Sequence, residues 1–309
     1  MNEEWYHPLD VRYVKLYFTL VILEDTILPV NKVSALRGGM GEMLLRMNCV
    51  RDRNCENCDF ESECMVRRMM YSKYEVKPDF VTTGESIGYV LECEDEQELF
   101  YAGDELEFQL ILFGRTIVYF SQFLQAFSML GACGLGKHGS RFRIAFVRNT
   151  TKEVLFDGEQ IDMARYRIRM VRDYVKYRLT HHQGEWKGEL IFQTPLTLKY
   201  HGEFLQEFDI EPIIQAVRRR VYMLNCFEGK EEGWLQQVTE YPTIVSQQHY
   251  LSKVDRYSSR QDSHMSLKGI RGKIQLEGMC EDVLQILLAG ELIHIGKNTS
   301  FGFGGYRVR

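Results

Sequence analysis

No stretch of this 309-residue sequence approaches the roughly 18 consecutive apolar residues that a membrane-spanning helix needs. The first apolar run, residues 11–23, contains Arg12 and Lys15 and follows an acidic start, so it does not read as a signal peptide. Together these absences give the expectation of a cytoplasmic chain without membrane contact, its eight cysteines reduced or metal-bound. A net positive charge is missing too: the formal value is −5, which taken whole argues against a nucleic-acid partner. A complete P-loop is also lacking. Residues 131–137 fit G-x-x-x-x-G-K, but His138 stands where a Ser or Thr would bind magnesium, and the segment follows a helix rather than a strand, which argues against ATP binding.

What is present is unevenly spread. Residues 1–107 carry 11 Lys/Arg against 22 Asp/Glu, a net of −11, which leaves 27 against 21, a net of +6, for residues 108–309. Binding of an anionic partner would then fall mainly to the second half. With 45% apolar residues the chain can fill two cores, and domains at 1–150 and 151–309 are expected. Hydrophobic periodicity predicts strands at 13–23, 87–92, 105–113 and 142–147 with helices at 31–47 and 117–130. It predicts a second set at 190–198, 250–254, 270–276 and the tail, with helices at 210–224 and 281–289. Both halves thus read β-α-β-β-α-β, the order of the α+β ferredoxin-like, RRM-related unit.

Glycine concentrates at the C-terminal end of each half. Residues 131–142 read GACGLGKHGSRF and residues 290–301 read GELIHIGKNTSF, so a Gly-Lys-x-x-Ser core with a nearby Phe occurs twice, with Gly136 and Gly296 160 residues apart. That is the spacing of a duplicated domain. In the tail, Gly296, Gly302 and Gly304 are interleaved with Lys297, Phe301 and Phe303, a composition suited to close approach to a phosphate and to stacking of bases.

The run DRYSSRQDSHMSLKGIRGKIQLEG from Asp255, with GELIHIGKNTSFGFGGYRV after it, resembles the C-terminal half of CRISPR-associated pre-crRNA processing endoribonucleases of the RAMP superfamily. RGGMGEMLLRMNC, the cysteine cluster after it, and LFGR followed by GLGKHGSRFRI extend the resemblance over nearly the whole chain. It implies two tandem ferredoxin-like domains and metal-independent cleavage of CRISPR repeat RNA to guide RNA, with 2′,3′-cyclic phosphate and 5′-hydroxyl ends. It also implies possible partners among other CRISPR effector subunits, and a non-catalytic subunit that only holds crRNA is the alternative. RNA contacts are expected from Arg37, Lys137, Arg256, Arg260, Gly296, Lys297, Gly302 and Gly304. Arg165, Arg167 and Arg169 alternate with other residues, so a strand there would put all three on one face, as an RNA track or as a charged edge.

Cys49, Cys55, Cys58 and Cys64 lie within sixteen residues around a C-x-x-C core, which fits four thiolates on a structural zinc, or an iron–sulfur cluster, inserted in the first domain. No cofactor is expected in catalysis, which requires a base for the 2′-hydroxyl and an acid for the 5′-oxygen. In many relatives the key histidine lies on the first helix. Residues 33–47 contain none, and the candidates become His294, next to the glycine tail, and His138, in the first loop. Tyr257, flanked by Arg256 and Arg260, and His264 complete the set.

Overall fold

The computed structural model describes residues 7–53, 55, 58–71, 74, 76–81, 87–230, 233–258 and 263–309. In the first half, β1 (Arg12–Ile22), α1 (Lys32–Asn48), β2 (Tyr89–Glu92), β3 (Glu105–Phe113), α2 (Phe120–Cys133) and β4 (Phe142–Arg148) follow one another, and the strands lie in the order β2-β3-β1-β4. A linking helix, α3 (Val171–His181), leads to β5 (Glu189–Leu196), α4 (Ile210–Phe227), β6 (Thr243–Ser258), β7 (Ser263–Glu277), α5 (Glu281–Ile293) and β8 (Tyr306–Val308), ordered β6-β7-β5-β8. These are two tandem ferredoxin-like units, each with the first strand central and the second at an edge. The pairings of β1 with β3 and β4, and of β5 with β7 and β8, are all antiparallel.

Period-two alternation explains how the halves join. On β1, Val14, Leu16 and Phe18 face the first core, where Phe18 stacks on Phe108 at 4.7 Å and Phe108 meets Phe127 at 4.8 Å. Val11, just before β1, Tyr13 on it, and Ile111 and Phe113 on β3 point instead into a second core shared with Ile213, Val217 and Leu224 of α4. One end of the first sheet is therefore buried on both faces. Polar contacts tie the same seam: Asn225 Nδ2 donates to Pro8 O at 2.7 Å, Glu228 accepts from the Arg12 amide at 3.0 Å, and the Arg220 guanidinium donates to Ile87 O at 3.2 Å.

Several expectations change. The first sheet keeps the chain as far as Met170, because residues 154–156 pair with β4 and Arg169–Met170 pairs with β1. Residues 165–169 are consequently no single strand. Arg165 ends a short 3-10 turn and pairs with Asp162 at 2.8 Å, Arg167 lies 3.8 Å from Glu153, and only Arg169 is in a strand, so local carboxylates engage two of the three and no common face forms. β6 and β7 pair from Thr243↔Glu277 to Ser258↔Ser263, far longer than the apolar pattern indicates, because polar positions along a hairpin ribbon carry no hydrophobic period. The stretch Gly114–Cys133 is long and apolar enough to cross a membrane by composition. Here it buries Phe120, Phe123 and Phe127 in the first core.

Candidate functional site

The two Gly-Lys segments occupy the same place in their units, joining the second helix to the fourth strand. The first is an exposed turn closed by a bridge between Leu135 and Ser140. The second is built into the molecule. Gly296 has φ +80°, and a Cβ there would lie 2.5 Å from Thr197 O, so only glycine permits the approach by which the Lys297 amide donates to Thr197 O at 2.8 Å. Gly302, at φ +77°, would place a Cβ 2.7 Å from Leu91 O and so lets the tail close on the first half. The Phe301, Gly302 and Gly304 amides donate to Asn298 O, Thr299 O and Pro195 O. The expectation that these glycines free amides for a ligand is corrected at those positions: they let the backbone pack against itself.

What the tail presents to a ligand is charge. Arg37 from α1, Arg219 and Arg220 from α4, Lys199 after β5, and Lys297 line one cavity of about 250 Å³ with Thr299 and Ser300. None of the described residues lining it is acidic and none is a histidine. The Arg37 guanidinium lies 4.5 Å from the centre of the Phe301 ring, which fixes its plane, and its Nε is buried without a hydrogen bond to any described residue. Lys297 is exposed, with its ammonium 5.5 Å from the Phe204 ring. Five cations with no carboxylate among the described lining residues give the cavity a charge suited to an anion. Guanidinium forks and hydroxyl donors suit the oxygens of a phosphodiester.

His294 is not part of this cavity. It is 2% exposed and closes α5 at φ +56°. Its Nδ1 lies 3.0 Å from Phe303 O and its Nε2 2.7 Å from Glu92 Oε1 on β2. The other oxygen of Glu92 accepts from Lys15 Nζ at 2.8 Å. Burial pushes the Glu92 carboxyl up, but the Lys15 ammonium and the His294 hydrogen bond outweigh it and hold the group well below the usual carboxylate range. Both ring nitrogens are thus engaged within the protein, and His294 and Lys297, the catalytic candidate and the expected RNA contact three residues on, line different cavities. His294 fastens the glycine tail to the first half.

The remaining candidates are dispersed. His138 is exposed beside Asp25 and Glu24, the latter paired with Arg141 at 3.1 Å, away from the cation cavity, and Lys137 shares that turn. Tyr257 and His264 are register partners near the end of the β6–β7 hairpin, with Arg256 one residue earlier. Arg260 lies outside the described residues. Of the sequence candidates, Arg37, Gly296 and Lys297 are brought together. Lys199, Arg219 and Arg220 were missed: the run Arg218–Arg219–Arg220 was a visible signal on α4, whereas nothing in the sequence marks Lys199.

The four clustered cysteines are half-buried, Cys49 just after α1 and Cys64 just before the short helix Met65–Met70. Among the described residues no three metal-ligating side chains gather, and the Cys49 thiol donates to Arg51 O at 3.5 Å. The arrangement does not by itself fit a tetrahedral metal site.

Residues 10–170, just over half of the chain, match the family model of the AF_1859 N-terminal domain, and residues 190–306 match that of the CRISPR-associated endoribonuclease Cas6. No curated protein matches the chain. Among solved structures, a partial Cas6-RT-Cas1–Cas2 complex is similar at 12% identity with a TM-score of 0.59, covering 98% of this chain and 46% of that one. This chain thus spans about half the length of that protein. A Cas6 product complex is similar at 11% identity with a TM-score of 0.50, covering 96% of this chain and 99% of the other.

Proposed function

The chain belongs to the AF_1859 N-terminal domain family over its first half and is a Cas6-type CRISPR-associated protein in its second, and we propose that it binds CRISPR repeat RNA and cuts the precursor to guide RNA. The observation that carries this reading is the cavity at the glycine tail, with no acid among its described lining residues, where Arg37, Lys199, Arg219, Arg220 and Lys297 converge from both halves. In the proposed reaction the 2′-hydroxyl gives its proton to solvent water and attacks the adjacent phosphorus, the P–O5′ bond breaks, and the products carry a 2′,3′-cyclic phosphate and a 5′-hydroxyl, without a metal. The five cations stabilise the added charge of the pentacoordinate phosphorane, and the Thr299 and Ser300 hydroxyls are available as donors. Lys297, the exposed ammonium, is the proposed proton donor to the leaving 5′-oxygen. The relative named as a Cas6 product complex and the one joined to Cas1–Cas2 support RNA and other CRISPR proteins as partners.

A second reading, a subunit that holds crRNA without cutting it, is favoured by one feature: no histidine is among the described residues that line the cavity, and His294 has both nitrogens engaged. End-labelled repeat RNA incubated with the protein in EDTA separates the two. Cleavage with a 5′-hydroxyl product supports the enzyme, a stable complex with intact RNA supports the holder, and no binding defeats both.

A further inference from the structure

Beside the cation cavity lies a cluster of rings that the reading above does not use. Tyr222 on α4 and Trp234, in the segment after it, stack with centroids 4.2 Å apart and planes 14° from parallel. Phe80, from the loop before β2, stands 6.1 Å from Trp234 and 6.0 Å from Tyr222. Cores place such rings out of water, yet Trp234 is 45% and Phe80 38% exposed. Two arginines bracket them. Arg219 lies 4.3 Å from the Phe80 ring centre and donates to Phe80 O at 3.1 Å, and Arg218 lies 5.9 Å from Trp234, held by bonds to Gln215 Oε1 at 2.7 Å and Leu235 O at 2.9 Å.

The cluster is continuous with the cavity through Arg219, which lines the one and caps the other. Tyr222 follows Arg219 by three residues on α4, a rise of about 4.5 Å and nearly one turn, so a ring and a cavity cation stand side by side on one face. A nucleotide whose phosphate sits among the cavity cations has its neighbour's base within reach of these rings. Exposed aromatics flanked by arginine, next to a phosphate-suited cavity, form the combination on which unpaired bases stack without sequence preference. A protein partner would also accept exposed rings, but nothing about such a partner accounts for their junction with the cation cavity.

We infer that Phe80, Tyr222 and Trp234 form a stacking platform for one unpaired nucleotide adjoining the phosphate held at the glycine tail. The inference rests on the proposed RNA binding and adds a requirement on the RNA: a single-stranded nucleotide next to the bound phosphate, in place of continuous duplex.

The test is equilibrium binding of the full chain to a labelled repeat RNA and to a series of the same RNA carrying one abasic nucleotide at each position in turn. Wild-type protein should lose affinity at one or two adjacent positions, by roughly 5- to 100-fold, the range that stacking a single base is worth. Trp234→Ala should weaken binding to the intact RNA by a similar factor and show no further loss at those positions, while Trp234→Tyr restores most of the affinity. A Trp234→Ala protein that binds intact RNA as wild type does, or that loses affinity equally at every abasic position, overturns the platform. Should Trp234→Ala fail to fold, the wild-type abasic series still decides: a flat profile overturns the inference. Wild-type protein that binds no repeat RNA removes the functional reading itself, and the platform with it.

Discussion

Arg37 is the residue on which site and fold meet, since it leaves α1 of the first half, lies over Phe301 of the second and keeps a buried nitrogen without a described partner. Losing one preorganised donor of this kind typically costs about 10²- to 10³-fold in the chemical step. Arg37→Ala should therefore slow single-turnover cleavage by at least about 100-fold, and Arg37→Lys should recover only part, because an ammonium keeps the charge without the fork. Lys297→Ala should reduce the slope of log affinity against log salt by roughly 0.7 to 0.9, one phosphate contact, in titrations between 50 and 200 mM salt on the scale of such measurements. Glu92 belongs to stability. Its carboxyl is held below the ordinary range, so its contribution is complete above about pH 4, the usual carboxylate value, and fades as pH falls below it. Glu92→Gln leaves the Lys15 ammonium without its buried partner and should cost about 3 to 5 kcal/mol at neutral pH, with a flatter stability profile below pH 4 in denaturant titrations. An acid profile unchanged from wild type would mean that this triad does not lock the tail.

Among the elements, those with one apolar face were legible and those governed by polar contacts were not. Residues 105–113 were placed to the residue, and α1, α4 and α5 within a few positions, because their buried faces repeat with the period of a strand or a helix. α3 buries little beyond Val171 and Val175, so its sequence carries only a weak period and gives no helix expectation, while the Arg165, Arg167, Arg169 alternation just before it indicates a strand that the local ion pairs replace with a 3-10 turn and a two-residue bridge to β1. The glycine tail was recognisable as special, but its partners were not. His294 and Lys297 are three residues apart in sequence and serve separate cavities, a separation created by the positive φ of His294 and Gly296, the contact of Gly296 with Thr197, and Glu92 arriving from the other half. In the cysteine segment, too, spacing and geometry disagree. We propose from the spacing that it takes up one zinc or iron per chain by drawing the four sulfurs together. Elemental analysis of protein purified without chelator should then give about one equivalent, lost in Cys55→Ser with a lower melting temperature, and metal-free protein of unchanged stability would count against it.

At the scale of the whole molecule, the two units act as one because the cavity needs both: Arg37 comes from the first, and Lys199, Arg219, Arg220 and Lys297 from the second. The seam beneath it is a shared apolar core closed by His294–Glu92–Lys15 at the tail and by Arg12–Glu228 near the start. The last strand is anchored as well, with Glu291 receiving Arg178 at 3.3 Å and Arg307 at 3.0 Å. Neither half alone would present the site, so charge reversal at the cavity should abolish RNA handling without unfolding the chain. The most direct measurement is single-turnover cleavage of end-labelled repeat RNA in EDTA by wild type, by Arg37→Glu/Lys297→Glu and by His294→Ala, each scaled to its folded fraction. Cleavage by wild type and by His294→Ala at similar rates, with a 5′-hydroxyl product, and a loss of at least about 100-fold in the double variant are the predicted results. Wild-type rates in the double variant, or a rate abolished in folded His294→Ala alone, would contradict a cleavage centre in the cation cavity.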